Sequence, residues 1–341
     1  MSRLPLLKLP YLALKEVLVC LDPIEIFTIS QCSPNLAFPI GRDNFNINVI
    51  GDKYTDNSII TVNDYKFNPL DKNYSYFSRK TIAPYAAAGH ISSRFGRELS
   101  TYKLGGEVQD GLHHETHVDI YWDNAHHGLL ILAAHLSKLF NSQIETFNVP
   151  ANFRKSLFPS TFSVKELRID HSQPQGYIKW ILNHVKVSKI FIINAQVDEK
   201  LVYSFPEGLE EFHARKATWL TFRTLESLNS CKWIFIFSST LTNQNLDKFV
   251  QLWKSGKFPN LDYFTVEGVK EFSKDVKISG FTMEQLRNEA TLKSKRIDNR
   301  EMQSEIGQDI QGKDGSVARI YFSSDISFTM FVWRNGEEWD G

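Results

Sequence analysis

Cysteine is scarce: three residues in 341, Cys20, Cys32 and Cys231. An odd and scattered set cannot build a disulfide framework, and no two of the three stand at the C-x-x-C spacing of a zinc or redox pair. Such usage fits a reducing compartment, so the expected location is intracellular, in the cytoplasm or nucleus. Net charge is lacking too. Basic and acidic side chains number 39 each, which leaves no global field to attract a phosphate backbone or an anionic lipid surface; no nucleic acid and no membrane are expected as partners. Long apolar runs are also missing. Lys8, Lys15 and Glu16 cut the amino-terminal segment into pieces shorter than a secretory core of about 7 to 15 residues. Elsewhere the longest charge-free apolar stretch, Gly128 to Ser137, falls well short of the roughly 20 residues that span a bilayer.

The signatures of several chemistries are absent as well. Gly105-Gly106 stands alone, without the glycine spacing or the following Lys-Ser/Thr that cradles phosphate. There is no G-x-S-x-G, and Cys20 and Cys32 fall in an apolar helical segment where burial is expected to make a thiol inert. One group of histidines invites a metal reading: His113, His114, Glu115 and His117, with His126, His127 and His135 further on. Imidazole is the commonest zinc ligand. HETH, however, is one residue short of the H-E-x-x-H that sets two histidines on one helical face beside a basic glutamate. With Gly111 before it and a strand pattern after it, the group reads as an exposed turn, so neither metal nor cofactor is expected.

What the chain does have is apolar material: 42% hydrophobic residues, 25 of them Phe, enough for a core of two or more domains. Its most informative stretch is residues 4–40. Pro10 suits the first turn of a helix, where its missing N–H costs nothing, and Leu14, Val17, Leu18 and Leu21 then recur along one helical stripe. Asp22, Pro23 and Glu25 have the spacing of a capping box that opens a second helix, whose apolar face continues through Ile26 and Ile29. Ser33-Pro34 repeats the cap-then-proline signal for a third, short helix, ended by Pro39. So few residues cannot bury all these side chains against one another. The surplus apolar surface meets either the rest of this chain or a partner.

This stretch resembles an F-box. The resemblance is carried by Leu9-Pro10, the Leu14/Val17/Leu18 stripe, Leu21-Asp22-Pro23, Ile26 and Ser30-Gln31-Cys32-Ser33, in order and spacing. It implies docking on a Skp-type adaptor within a Skp/cullin/F-box ubiquitin ligase. The implied contact surface is Leu9, Pro10, Leu14, Val17, Leu18, Leu21, Pro23, Ile26, Ile29 and Cys32.

The remainder reads in three parts. Residues 46–115 are expected to be a connector with possible strands at Asn44–Ile50 and at Ile59, Ile60 and Val62, and with a helix near Tyr85 to Phe95. From Thr116 strand-like and helix-like segments alternate. HVDIYW, QIETFNV, KELRID, SKIFIIN, EEFHARK and CKWIFIF read as strands, and GLLILAAHLSKLF, GYIKWILNHV and NLDKFVQLWKSG as helices. Strand cores near Phe147, Leu167, Ile190, Phe212, Phe235 and Phe264 recur at about 20 to 29 residues, the period of leucine-rich-type repeats. An ordinary α/β domain is the alternative, and parallel strands with helical crossovers serve either. Lys293, Lys295 and Arg296 read as a solvated helix face. Trp219, Trp233 and Trp253, without a basic groove, read as core or protein-interface anchors.

The phrases from His135 to Val149 and from Leu246 to Gly268 extend the resemblance to the nematode-expanded F-box proteins whose second part is an F-box-associated domain of type 2, a part implied to select a protein target. The expected architecture is thus mixed α+β and α/β. It has a small three-helix F-box (4–45), a connector (46–115), an irregular leucine-rich-repeat-like recognition domain (116–275) and an extension of that domain (276–341). The implied function is a non-catalytic ligase adaptor. A repeat-type interaction module without ligase function is the alternative, and a metal-dependent hydrolase a more distant one.

Overall fold

The structure, a computed structural model, describes residues 11–32, 45–51, 58–71, 91–95, 98–104, 108–110, 113–115, 117–122, 125–151, 162–174, 176–197, 201, 203–268, 277–297, 300–324 and 326–334. It is mixed α+β, with two helices at its amino-terminal end, and divides into two compact units. The first is Met1–Lys165 with His184–Lys186, the second Glu166–Asn183 with Val187–Gly341. Among the described residues no helix is long and apolar enough to cross a membrane.

The first unit opens with α1 (Tyr11–Cys20) and α2 (Pro23–Cys32). The expected capping box joins them: Glu25 N donates to Asp22 Oδ1 at 2.8 Å and Asp22 N to Glu25 Oε2 at 3.0 Å. Both orphan donors at the start of α2 are thereby satisfied. The third helix expected from Ser33 lies outside the described residues. Next come β1 (Ile47–Gly51), β2 (Ser58–Val62), β3 (Tyr65–Asp71), β4 (Ile91–Phe95), β5 (Glu98–Leu104), a small ribbon of β6 (Val108–Asp110) with β7 (His113–Glu115), and β8 (His117–Trp122). α3 (Ala125–Leu139) and β9 (Ile144–Asn148) follow, and β10 (Phe162–Ile169) runs across the division between the units.

Strands of the first unit lie in the order β9-β1-β2-β3-β8-β5-β4. Alternation decides which side is packed: in β1, β2 and β3, Ile47, Val49, Ile60, Val62 and Phe67 are fully buried, and α3 lies against these strands. Its Leu129, Leu132, Leu136 and Leu139, with Phe140 just past its end, form the buried stripe the sequence predicts. Between β2 and β3, Asn63 takes the left-handed conformation at φ 54, a backbone region that Asn tolerates in tight hairpin turns.

The expected connector is therefore more than a connector, because β1–β3 and the α3 that covers them fall on opposite sides of residue 115. The helix expected near Tyr85 to Phe95 is corrected at its end: Ile91–Phe95 is a strand paired with β5, and Tyr85 to His90 lie outside the described residues.

In the second unit, α4 (Tyr177–His184) precedes β11 (Val185–Ile193); then come β12 (Glu211–Ala214), α5 (Phe222–Glu226), β13 (Trp233–Ile236), α6 (Asn243–Lys254) and β14 (Tyr263–Glu267). β11–β14 are parallel and in one register, so that Phe191, Phe212, Ile234 and Phe264 form a row, and Ile193, Ala214, Ile236 and Val266 the next. All eight are buried. The crossovers differ from one another: a stretch with no helix among its described residues, the short α5, and the 12-residue α6. Leu246, Phe249, Val250 and Trp253 of α6 are buried, and Phe249 stacks on Phe264 at 3.9 Å between ring centroids. A capping box between Thr242 and Asn245 starts that helix.

The last part supplies β15 (Glu289–Ile297), β16 (Arg300–Ile306), β17 (Gln308–Gln311), β18 (Val317–Ser324) and β19 (Ser327–Trp333). β19 joins β14 antiparallel, and β18 and β17 follow outward. Lys293, Lys295 and Arg296 lie on β15, paired with β16, so the expected helix face there is corrected to a strand. In the backbone register Arg296 stands across from Glu301, so pairing with β16 makes a strand of a run that looks helical in isolation.

Candidate functional site

Two surfaces carry the residues singled out by sequence. The first is the pair α1–α2. Its side chains divide into two sets. Leu18 is 3% exposed, Ile26 and Phe27 0%, and Pro23 is buried. Phe27 packs edge-on against Phe67 of β3, centroids 5.3 Å apart, and against His135 of α3 at 6.1 Å. Ser30 Oγ lies 3.5 Å from His135 Nε2. Burial, with Lys138 adding to it, lowers the pKa of His135 to about 4, so this imidazole is neutral at physiological pH. The second set, Leu14, Val17, Leu21 and Ile29, is half-buried.

Of the ten implied contact residues, Leu18, Pro23 and Ile26 thus face this chain's own first unit. Leu14, Val17, Leu21 and Ile29 keep apolar surface in water. Leu9 and Pro10 lie outside the described residues, as does the side chain of Cys32. Cys20 is exposed, against the expectation of burial, because it ends α1 on the side away from the core. The buried thiol is Cys231, which desolvation, aided by nearby Glu211, pushes up to about 12. His113, His114 and Glu115 lie in β7 and His117 opens β8, so extended backbone takes the place of the expected turn. Among the described residues no three His, Cys, Asp or Glu side chains are grouped to hold a metal.

The second surface is the face of β11–β14 opposite their buried rows. There Ile190, Glu211, Trp233 and Tyr263 stand side by side, and Ile192, His213, Phe235 and Thr265 form the next row. An aromatic ladder crosses it: His213 stacks on Phe235 at 4.3 Å, Phe235 meets Tyr263 at 5.1 Å, and Tyr263 meets Phe331 of β19 at 5.0 Å.

At the β18–β19 end this face is closed by β16. Arg319, only 2% exposed, pairs with Asp309 at 2.9 Å and donates to the Ser304 carbonyl at 3.2 Å. Thr265 and Thr329 share a hydrogen bond at 3.2 Å. Burial pushes the Tyr321 phenol up to about 12. Toward β11 the cover ends, and Ile190, Ile192, Glu211, His213, Trp233 and Phe235 are each half-buried. Sequence reasoning reached Trp233 as an anchor candidate and set Trp219 and Trp253 beside it. The latter two are core residues at 2% and 4% exposure. Glu211 and His213 were missed. Their signal was the polar alternation within EEFHARK, legible only once the neighbouring strands are placed.

Comparison with known families adds to these two surfaces. Residues 6–38 match the family model described as the F-box domain, and residues 186–266 match the one described as F-box associated. Two segments of the chain are thus similar to these families: the F-box match covers α1 and α2, and the F-box-associated match covers β11–β14 almost end to end. No curated protein and no solved structure matches the chain.

Proposed function

We propose that this protein is the substrate-recognition adaptor of a Skp/cullin/F-box ubiquitin ligase. In this reading the amino-terminal helices bind a Skp-type adaptor, and the face of β11–β14 holds a protein target. The observation that carries it is the separation of the two family matches: the F-box lies in the first compact unit and the F-box-associated segment in the second. One part is thereby free to dock while the other holds cargo.

On α1 and α2 the docking surface is Leu14, Val17, Leu21 and Ile29, joined by Leu9, Pro10 and Cys32. Leu18, Pro23 and Ile26 hold the helices in place from beneath. We take the parallel, in-register strands β11–β14 as an irregular, leucine-rich-repeat-like stack, whose open face is the kind of continuous surface that such stacks offer to partners. The chain is a non-catalytic intracellular subunit. Ubiquitin transfer belongs to other subunits, and this protein contributes proximity by raising the target's effective concentration near the charged enzyme. Co-purification of the full chain with a Skp-type adaptor tests the reading. A stoichiometric complex is expected, and a chain that stays folded and alone overturns it.

A further inference from the structure

We infer that the open ledge on β11–β13 recognises its target through a cationic side chain, an arginine or lysine set among apolar residues. The inference rests on the target-binding reading above and names the chemistry of what is bound.

Three observations converge on one spot. Glu211 is the acidic side chain among the half-buried residues of the ledge. Its Oε1 is hydrogen-bonded to His213 Nε2, while Oε2 has no partner among the described residues. A carboxylate oxygen is thus left over beside the apolar side chains of Ile190, Ile192, Trp233 and Phe235. Directly across the parallel ladder from Glu211 stands Trp233. Phe235, Tyr263 and His213 each have a ring neighbour, whereas Trp233 makes no ring contact among the described residues. Its Nε1 is buried without an acceptor, so what this half-buried indole offers to solvent is ring carbon and not its N–H. Ile190 and Ile192 of β11 border the pair on the far side from Phe235.

An uncovered indole next to a carboxylate with a spare oxygen is the arrangement that favours a cation. The indole attracts it through the ring quadrupole, and the carboxylate supplies a charge-assisted hydrogen bond. Arginine fits best, since a planar guanidinium can stack on the ring and present an N–H to the carboxylate at the same time. The aliphatic stem of arginine or lysine would lie along Ile190 and Ile192. An acidic segment would instead meet Glu211 head-on, and a wholly apolar one would strip water from that oxygen without replacing it.

The test uses the full chain with its Skp-type adaptor on an array of extended peptides. Each peptide has apolar flanks and one central position occupied by arginine, lysine, citrulline, acetyl-lysine, glutamate or leucine. Arginine and lysine peptides are expected to be retained, with arginine stronger, and their neutral counterparts to bind about tenfold more weakly. That preference is expected to vanish in Glu211→Gln and to weaken in Trp233→Leu, while thermal unfolding and adaptor co-purification stay as in the wild type. Equal retention of arginine and citrulline peptides, no retention of any peptide, or a cation preference that survives Glu211→Gln would overturn the inference. Each of these outcomes leaves the adaptor-binding result standing. Conversely, cation-selective capture by a chain that never binds an adaptor would keep this inference and remove the ligase reading.

Discussion

Replacing Ile26 by Asp separates the two roles of the amino-terminal helices. By sequence, Ile26 belongs to the partner-facing stripe, so a charge there should cost adaptor binding and nothing else. By structure, Ile26 is 0% exposed and sits beside Phe27, whose ring is wedged between Phe67 and His135. Its removal forfeits about 1.5 to 3 kcal/mol of apolar burial, and an unpaired carboxylate in the same place costs several kcal/mol more. The sum is comparable with the whole stability of a typical domain, about 5 to 15 kcal/mol. The expected result is therefore loss of the first unit's cooperative unfolding transition, with adaptor binding lost as a consequence. Ile29→Asp, on the half-buried outer side of the same helix, should change stability by no more than about 1 kcal/mol yet weaken the adaptor complex by roughly a hundredfold. Urea unfolding followed by circular dichroism, paired with adaptor pull-down, distinguishes them. An Ile26→Asp protein that unfolds at the wild-type midpoint but loses the adaptor would show that this face is a contact surface after all and refute the burial argument.

Three further outcomes are expected. His135 is held neutral down to about pH 4 in the folded chain, whereas the unfolded chain protonates it near pH 6.5. The unfolded state therefore binds the extra proton, so this contribution is complete above pH 6.5 and is lost as pH falls from 6.5 toward 4. Its size is at most about 3 kcal/mol, and His135→Leu should flatten that limb of a stability-against-pH curve from urea midpoints. Gly307 has φ +111, and a Cβ there would lie 2.5 Å from the Ile320 carbonyl oxygen; Gly307→Ala should destabilise the second unit by about 2 kcal/mol or more, read as a lowered thermal midpoint. Elemental analysis of the purified chain should find no stoichiometric zinc, since HETH lacks the spacing of a helical ligand pair, and His114 and Glu115 lie in β7 and His117 in β8. About one zinc per chain, lost on mutating His114 and His117 together, would revive the metal-dependent hydrolase.

Where a segment's own pattern fixes its structure, the sequence was readable. The Asp22–Glu25 box, the Leu stripe of α3, the amphipathic α4 and α6, and the alternating β8, β12 and β13 all follow from local periodicity and capping. β4 and β5 did not, because ISSRF and ELSTYKL are rich in Ser, Thr and charged residues and are strands through their pairing with each other and with β8. The basic run in β15 misled for the same reason: its partners on β16 are what make it a strand. The candidate sites show the limit more sharply. Ile26 and Ile29 are the same residue type three positions apart on one helix, and both count toward an apolar stripe. Periodicity says only that each prefers to leave water. Which of them is buried in the first unit, and which keeps surface in water, depends on residues far away in sequence. Glu211 is a parallel case on the second unit: within EEFHARK it is one of several charges, and only the register that sets Trp233 beside it turns a spare carboxylate oxygen into a recognition element. Composition and spacing can thus nominate a surface, but the assignment of its individual side chains to core or to partner has to come from the packing.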